Sequence, residues 1–451
     1  MNRGYYSKIC IISNMHKNNR GILDFLARTS TTNISSVSKL FIVSAVIILF
    51  LGSLIGAIWL MTIFNIGVPQ LFGQLFQQHR ILQVDGFLTL LIMGIGYMII
   101  PRFRNILMPS EKFAYLSFFL VLTSLILQEV LLMRPSILAD KILLVEIVFS
   151  SLRVSGVIIF VTIITLMLRI RPKRLRLSDY FIALSVLTLL ALNAIELANV
   201  FSITYSEKAN LLRYIELWLL FPITMIFGIE YKTLPSFLGF IRPRAVLGLF
   251  SFILISGCII LGLLSVVFDI ESLSSLLFNT VFFTSVLLFT LSIYAFGGFD
   301  NSEIRSLIQG EKKVRYNLTV VHTKTSFLLL LFGIFMAMLF DFTYGQDRLT
   351  YRFALYDLAI HAITIGFIGV TISLYLPLML PPIVGKTIQF TNLNKIPLLL
   401  IISSLGLRVL GDFILSLETT MEILNFFLGL SGWLVIIAMI VFVITVRRSM
   451  E

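Results

Sequence analysis

Residues 40–63 read LFIVSAVIILFLGSLIGAIWLMTI, a stretch without a charged side chain. A helix needs about 20 apolar residues to cross the roughly 30 Å of hydrocarbon in a bilayer, so this stretch predicts a transmembrane helix. Twelve runs of this kind occur along the chain. Their approximate limits are 39–65, 79–101, 112–133, 141–170, 178–203, 210–235, 244–268, 272–298, 325–345, 351–381, 396–417 and 422–446. The sequence therefore predicts an all-α integral membrane protein with twelve transmembrane helices.

The composition supports this fold class. Of the 451 residues, 58% are hydrophobic and 13% are charged, whereas a soluble domain is about half apolar and about one quarter charged. These values exclude a soluble globular enzyme and a disordered chain, and the continuous apolar runs exclude an outer-membrane barrel, whose strands alternate apolar and polar residues. The two cysteines, Cys10 and Cys258, provide neither a disulfide framework nor a Cys-x-x-Cys metal site.

Lysine and arginine residues alternate between the two sides of the predicted membrane. They follow the second, fourth, sixth and eighth runs and lie at both chain ends, as at Arg102, Arg171, Arg242, Lys312 and Arg447. The positive-inside rule then predicts that both termini lie in the cytoplasm. The expected location is the plasma membrane. The predicted parts are a cytoplasmic N-terminal tail (1–38), a transmembrane domain (39–446) and a cytoplasmic C-terminal end (447–451).

The same placement explains the net charge of +12. The basic residues anchor helix ends at lipid headgroups, so membrane lipids are expected partners and nucleic acid is not. The tail has no cleavable signal pattern, and Met15 is an alternative to Met1 as the start.

A short motif recurs at the ends of two predicted helices. The second ends GIGYMIIPRF (94–103) and the sixth ends GIEYKTLPSF (228–237), so both read G-I-x-Y-x-x-[IL]-P-x-F. The tenth has a looser version at Tyr375 and Pro377. A repeat every four helices predicts three four-helix units around a pseudo-threefold axis, whereas a transporter of two six-helix halves would repeat every six helices. Coincidence in a sequence rich in Leu, Ile and Phe is the alternative.

Ionisable groups inside a membrane are costly and usually mark function or paired charges. Among those in the predicted helices are Asp85, Glu129, Glu146, Arg153, Glu196, Glu216, Asp357, Arg408 and Asp412. The predicted topology places nearly all of them in the outer half or near the midplane and leaves the cytoplasmic half almost uniformly apolar. A polar site near the outer face is therefore expected. Structural pairs are the alternative, such as Arg408 with Asp412 one turn later.

The chain has four histidines, His16, His79, His322 and His361. His79 opens the second helix and His361 lies about ten residues into the tenth, so the topology places both in the outer half at similar depth. Neutral imidazoles that face each other across a bundle can hold a metal or a haem iron. Burial as ordinary core residues is the alternative. His16 and His322 fall in the tail and in a basic connection, where we expect them to be solvent-exposed.

Two stretches resemble known families. HRILQVDGF (79–87), followed by Gly94 and by IPRF (100–103), resembles the second helix of the haem–copper oxidase subunit I superfamily, in particular its small cbb-type-like members. DLAIHAITIGFIG (357–369) resembles the D-x-x-x-H-A-x-T-x-G-x-x-G helix of the NnrS family, twelve-span haem proteins associated with nitric oxide metabolism. These motifs cover two of the twelve helices.

The resemblance implies one haem b with His79 and His361 as its axial and metal ligands. Cationic side chains at the outer end suit the anionic propionates of a haem, and a carboxylate one turn before a ligand can orient its ring. The implied cofactor-binding residues are His79, His361, Arg80, Arg352, Arg408, Gln83 and Asp357.

The chain also departs from both families. An oxygen reductase of the superfamily uses about six histidines, three of them for copper on helices 6 and 7, and the sixth to eighth runs here contain none. No copper site is expected, no catalytic residue is assigned, and oxygen reduction is not expected. Typical NnrS members carry H-x-H-E-M at the position of His79, and this chain does not.

The leading hypothesis is a haem b membrane protein for electron transfer or nitric oxide handling. Ligation by both histidines would fill both axial positions and favour electron transfer. A redox partner or subunits of a respiratory complex would then be its partners. The alternatives are a secondary transporter and a non-catalytic membrane subunit of a respiratory complex.

Overall fold

The computed structural model describes residues 36–63, 75–133, 142–169, 175–201, 211–237, 241–268, 273–297, 310–343, 349–383, 391–416 and 422–450. Within these ranges the chain is helical and contains no strand. The predicted tail, 1–38, lies almost entirely outside the described residues. Nearly all of the predicted C-terminal end, 447–451, belongs to the last helix.

Each predicted apolar run coincides with one helix. The helices are α1 (Ser36–Ile63), α2 (Leu75–Arg104), α3 (Glu111–Met133), α4 (Ile142–Arg169), α5 (Leu177–Val200), α6 (Leu211–Phe237), α7 (Ala245–Phe268), α8 (Leu273–Ser292), α9 (Glu311–Phe342), α10 (Leu349–His361, Ala362–Gly369 and Val370–Ile383), α11 (Lys395–Ser416) and α12 (Glu422–Met450). A short 3-10 turn, Asn392–Asn394, precedes α11.

The helices fit a protein that crosses a membrane many times. In the described part of the chain, eleven helices are long and apolar enough to span a bilayer, and the apolar part of α8 is shorter, Leu276–Ser292. The start of α9 differs from the prediction, because the helix begins at Glu311 and includes the basic connection before residue 325. A multi-pass membrane protein follows from this architecture.

Three helices form the centre of the bundle. In their most apolar stretches, 89% of α2, 94% of α6 and 72% of α10 is buried, whereas the other eight full-length spans bury 33% to 44%. The peripheral helices turn large apolar side chains outward, such as Val43, Leu144 and Ile253. Any site enclosed by the bundle is therefore built mainly on α2, α6 and α10.

The central helices α2 and α10 share an irregularity. Leu82–Leu88 in α2 and Ala362–Gly369 in α10 are π-helical, with one residue more per turn than the α-helix on either side. π-Helical turns occur frequently at functional sites. Both segments begin close to a histidine, because His79 lies one turn before the first and His361 directly precedes the second.

Candidate functional site

The two histidines predicted to face each other do so. The imidazole rings of His79 on α2 and His361 on α10 have centroids 6.4 Å apart, and their planes are inclined by only 14°. Two rings in van der Waals stacking would lie closer together. The two rings are therefore near-parallel and not in van der Waals stacking.

A backbone carbonyl of α1 orients the His79 ring. Its Nδ1 lies 2.8 Å from the carbonyl oxygen of Gly52. A carbonyl can only accept a hydrogen bond, so Nδ1 carries the proton and Nε2 keeps a free lone pair. Gly56 makes room for this arrangement, because a Cβ atom there would lie 2.5 Å from ring atoms of His79.

His361 is oriented in the same way from its own helix. Its Nδ1 donates to the backbone oxygen of Asp357 at 2.9 Å and lies 3.0 Å from the Asp357 Oδ1. The Asp357 carboxylate also accepts from Nη1 of Arg408, at 2.8 Å and 3.1 Å. In this arrangement Nε2 is again the nitrogen with the lone pair. A histidine that donates its other ring N–H to a carbonyl or carboxylate is the usual arrangement for metal ligands.

Both rings line one large cavity between α1, α2, α10, α11 and α12, to which α6 contributes Ile215. It encloses about 1230 Å³ of empty space, its open mouth included. Charged and polar side chains gather around the histidines, whereas Ile372, Ile401 and Met439 represent the apolar lining farther along the cavity. A cavity with an apolar lining and a few convergent polar groups is the usual form of a cofactor site.

The separation of the rings matches axial ligation of one iron atom. A metal lies about 2 Å from an imidazole nitrogen, and the atoms of a five-membered ring of about 1.3 Å bonds lie about 1.1 Å from its centre. Two rings on opposite sides of one iron therefore have centroids about 6 Å apart. The distance of 6.4 Å agrees with this value.

The remaining predicted cofactor residues divide into those at the cavity and those away from it. Arg80 and Gln83 both line it, and the Arg80 guanidinium also lies 6.0 Å from the centre of the Tyr214 ring. Gln83 donates to the carbonyl of Leu49 and to the hydroxyl of Ser53, and so connects α2 to α1.

The other two predicted arginines differ. Arg408 is absent from the cavity lining and binds Asp357. The side chain of Asp412, its alternative partner by sequence, lies outside the described part of the structure. The side chain of Arg352 lies outside the described part of the structure.

A second group of buried charges lies on the other side of α2. Arg153 on α4 is within 3.4 Å of Asp85 on α2, donates to Gln128 on α3 at 3.0 Å, and forms an ion pair with Glu196 on α5. Glu196 also accepts a hydrogen bond from the hydroxyl of Tyr214 on α6. The network joins five helices, four of them through one guanidinium and the fifth through the Glu196–Tyr214 hydrogen bond.

One sequence prediction about an individual residue is wrong. His322 is buried within α9, with its Nδ1 donating to the carbonyl of Leu318 at 2.7 Å, because the helix begins before the predicted run. Glu230, which is not among the predicted site residues, is also buried, near the end of α6.

Sequence reasoning missed the glycines that position His79. Gly52 and Gly56 have the spacing G-x-x-x-G, which often marks close helix–helix approach in membranes, and this signal could have identified them. Among the described residues, no group of three or more His, Cys, Asp or Glu side chains is placed to hold a metal ion. Axial ligation of a haem needs only the two imidazoles.

Comparison with known proteins adds a family without an assigned function. No curated protein matches the chain. Residues 330–450 match a domain of unknown function (DUF8744), and this stretch includes Asp357, His361 and Arg408 but not His79. The part of the chain that this family covers thus contributes one of the two facing imidazoles together with the carboxylate and guanidinium that hold it.

Proposed function

We propose that this protein binds one haem b between His79 and His361 and serves as an electron-transfer protein of the plasma membrane. The observation that carries the proposal is the near-parallel pair of imidazoles, 6.4 Å apart, on the wall of a large cavity. Bound haem would supply a one-electron couple between ferric and ferrous iron.

The residues around the pair fit the cofactor in three respects. Gly52 and Asp357 hold the two Nδ1–H groups, which leaves both Nε2 atoms as ligands. Arg80 offers a cation at the cavity for an anionic propionate. The apolar side chains of α10, α11 and α12 suit the flat hydrophobic macrocycle and keep water away from it.

Ligation by both histidines favours electron transfer over gas binding. With two axial nitrogens on the iron, a gas such as nitric oxide would have to displace one of them. Handling of nitric oxide would require one ring to swing away. Gly52 and Asp357 oppose that movement for both rings.

The proposed orientation in the membrane follows from the alternation of basic residues, and the proposed helix arrangement follows from the repeat. Three four-helix units around a pseudo-threefold axis would place α2, α6 and α10 at the centre, in accord with their greater burial. Both termini would face the cytoplasm. A redox partner or the subunits of a respiratory complex would exchange electrons with the haem, and membrane lipids would surround the bundle.

The experiment is a reduced-minus-oxidised absorption spectrum of the purified full chain. A sharp α-band of a b-type haem is expected, and it should disappear in both H79A and H361A. H361M should keep a haem with a raised potential, because methionine replaces histidine as an axial ligand in cytochromes with high potential. Absence of the band from the unaltered protein would overturn the proposal.

His322 provides the matched control. It is also buried, and its Nδ1 also bonds a backbone carbonyl, but it does not line the cavity. H322A should therefore keep the haem. Loss of haem in H322A to the same extent as in H79A would mean that general unfolding explains the loss.

Secondary transport is the second candidate, favoured by the buried ion pairs of Arg153 with Asp85 and Glu196. Charged groups inside a membrane often mark substrate or ion pathways. Haem-free protein that moves a solute in proteoliposomes would favour this function.

A further inference from the structure

A carboxyl group on α6 lacks a counter-charge. Glu230 is 1% exposed, and its Oε2 atom has no hydrogen-bond partner among the described residues. An ionisable residue in a membrane span is unusual enough to mark a functional site, because an unpaired charge is costly there.

Three hydroxyl groups accompany this carboxyl. The Tyr375 hydroxyl on α10 lies beside both the Glu230 carboxyl and the Thr233 hydroxyl. Thr371, one turn earlier on α10, has a buried hydroxyl without a hydrogen-bond partner in the described structure. The Tyr375 hydroxyl is therefore the group next to the acid, and Thr371 adds a second polar side chain to the same cavity.

A small cavity adjoins the cluster. It encloses about 560 Å³ of empty space and is lined by Glu230, Thr371 and Tyr375 together with Ile, Leu and Met side chains of α2, α6 and α10. Leu88 and Ile372 line both this cavity and the larger one that contains His79 and His361. The two cavities therefore adjoin at these two apolar side chains.

The charged groups near this end of α6 are engaged elsewhere. Lys232 donates to the carbonyl of Phe103 at 2.9 Å and lies over the Phe103 ring. Asp179 on α5 pairs with Arg104 on α2. Among the described residues that line the cavity, Tyr375 is the sole other titratable group, since the lining residues of α2 are all apolar.

The chemistry of the cluster fits a proton. One carboxylate provides a single negative charge, and divalent cations need several oxygen ligands, usually with more than one carboxylate or with bound water. Hydroxyl groups can donate to the carboxylate when the acid is charged and accept from it when it is protonated. The cluster can therefore accommodate both states of the acid.

We propose that Glu230, with Tyr375, Thr233 and Thr371, binds one exchangeable proton whose occupancy responds to the charge in the His79–His361 cavity. The second part rests on the proposed haem. With haem bound there, its reduction by a one-electron reductant such as dithionite would remove one positive charge from the cavity, and the Glu230 carboxylate would bind one proton from water. Reoxidation would reverse both events, so charge and protons would balance.

The test is an infrared difference spectrum between the reduced and oxidised full-length protein. Reduction should produce the carbonyl band of a protonated carboxylic acid, and this band should shift in heavy water. E230Q should lack it. E129Q is the matched control, because Glu129 is also a buried glutamate of the bundle but belongs to neither cavity, and it should keep the band. The midpoint potential should depend less on pH in E230Q than in E129Q.

The outcomes separate the two proposals. A normal haem α-band in E230Q, together with an unchanged infrared spectrum, would overturn the proton site and leave the haem in place. Absence of haem from the unaltered protein would overturn both. A carbonyl band that follows sodium concentration at constant pH would overturn the proton as the ligand in favour of a sodium ion.

Discussion

The two sides of α2 use buried polar groups in opposite ways. On one side, His79 faces His361 across open space, and each ring is held by an oxygen acceptor. On the other side, Asp85 meets Arg153, which also binds Glu196 and fills the space between five helices. One side keeps room for a ligand and the other is closed by its own charges.

The difference shows that ionisable groups buried in a helix bundle can either fill the interior or leave a cavity. Oppositely charged side chains on facing helices attract each other and occupy the interior. Neutral imidazoles have no such attraction, and here each ring is hydrogen-bonded to its own support instead of to the other. A cavity persists where the polar groups are oriented separately.

The largest effect is expected at the closed side. R153M removes the guanidinium and leaves the Asp85 and Glu196 carboxylates in the interior without their cation. Removal of one partner from a buried ion pair costs about 3–5 kcal/mol, so the yield of folded protein and its unfolding temperature in detergent should fall sharply. R169M, at the exposed end of α4, should leave both unchanged. Equal stability of R153M and the unaltered protein would contradict the structural role of the network.

A smaller effect is expected at the support of His361. D357N weakens the hydrogen bond to the ring and leaves Arg408 without its carboxylate. Loss of such a supporting group typically weakens metal binding about 10- to 100-fold, which a haem titration of the purified protein would measure. D179N removes another buried carboxylate, the partner of Arg104, and should leave haem affinity unchanged. Equal loss of affinity in both variants would contradict a specific role for Asp357.

The position of the His79 ring can be tested by introducing steric overlap beside it. G56A introduces a Cβ atom 2.5 Å from the ring, so the ring or α1 must move. Overpacking of this kind costs about 1–3 kcal/mol, and the α-band should become weaker or shift. G257A on α7 is the control, because nothing lies within 4 Å of a Cβ atom there. An unaltered spectrum in G56A would show that His79 tolerates displacement.

The smallest effect is expected for Gln83. Q83L removes two hydrogen bonds to α1, each of which contributes about 1 kcal/mol, and should lower the unfolding temperature slightly while the haem spectrum stays the same. Absorption and thermal unfolding of the same sample would measure both. Loss of the haem in Q83L would instead assign Gln83 a direct contact with the cofactor.

The sequence predicted the helices well because continuous apolar runs are a strong signal. It failed at the start of α9, where buried residues such as Leu318 and His322 alternate with basic ones. Averaged hydropathy hides a helix with one buried and one charged face. The apolar run therefore begins later than the helix itself, and the sequence places His322 in an exposed connection.

The site was predictable only in part. The alternation of basic residues gave His79 and His361 similar depth, but depth does not determine how far apart two rings lie. The pairing of Arg408 with Asp357 depends on contact between α10 and α11, so the sequence could offer only Asp412, its neighbour on the same helix, as an alternative partner. Glu230 was not predicted as a site residue because it occupies the variable position of the recurring G-I-x-Y motif, which is defined by its glycine, tyrosine and proline.

The π-helical segments after the two histidines make the direction of each ring depend on the number of residues in its helix. Each turn accommodates a single surplus residue, and removal of one residue from Leu82–Leu88 would restore ordinary α-helical winding. His79 would then rotate by about 100° relative to Thr89–Arg104, the part of α2 that follows the deletion, and its ring would no longer face His361. The same deletion in Ala362–Gly369 would turn His361 away. The facing of the two rings thus depends on how many residues each helix contains, as well as on which residues they are.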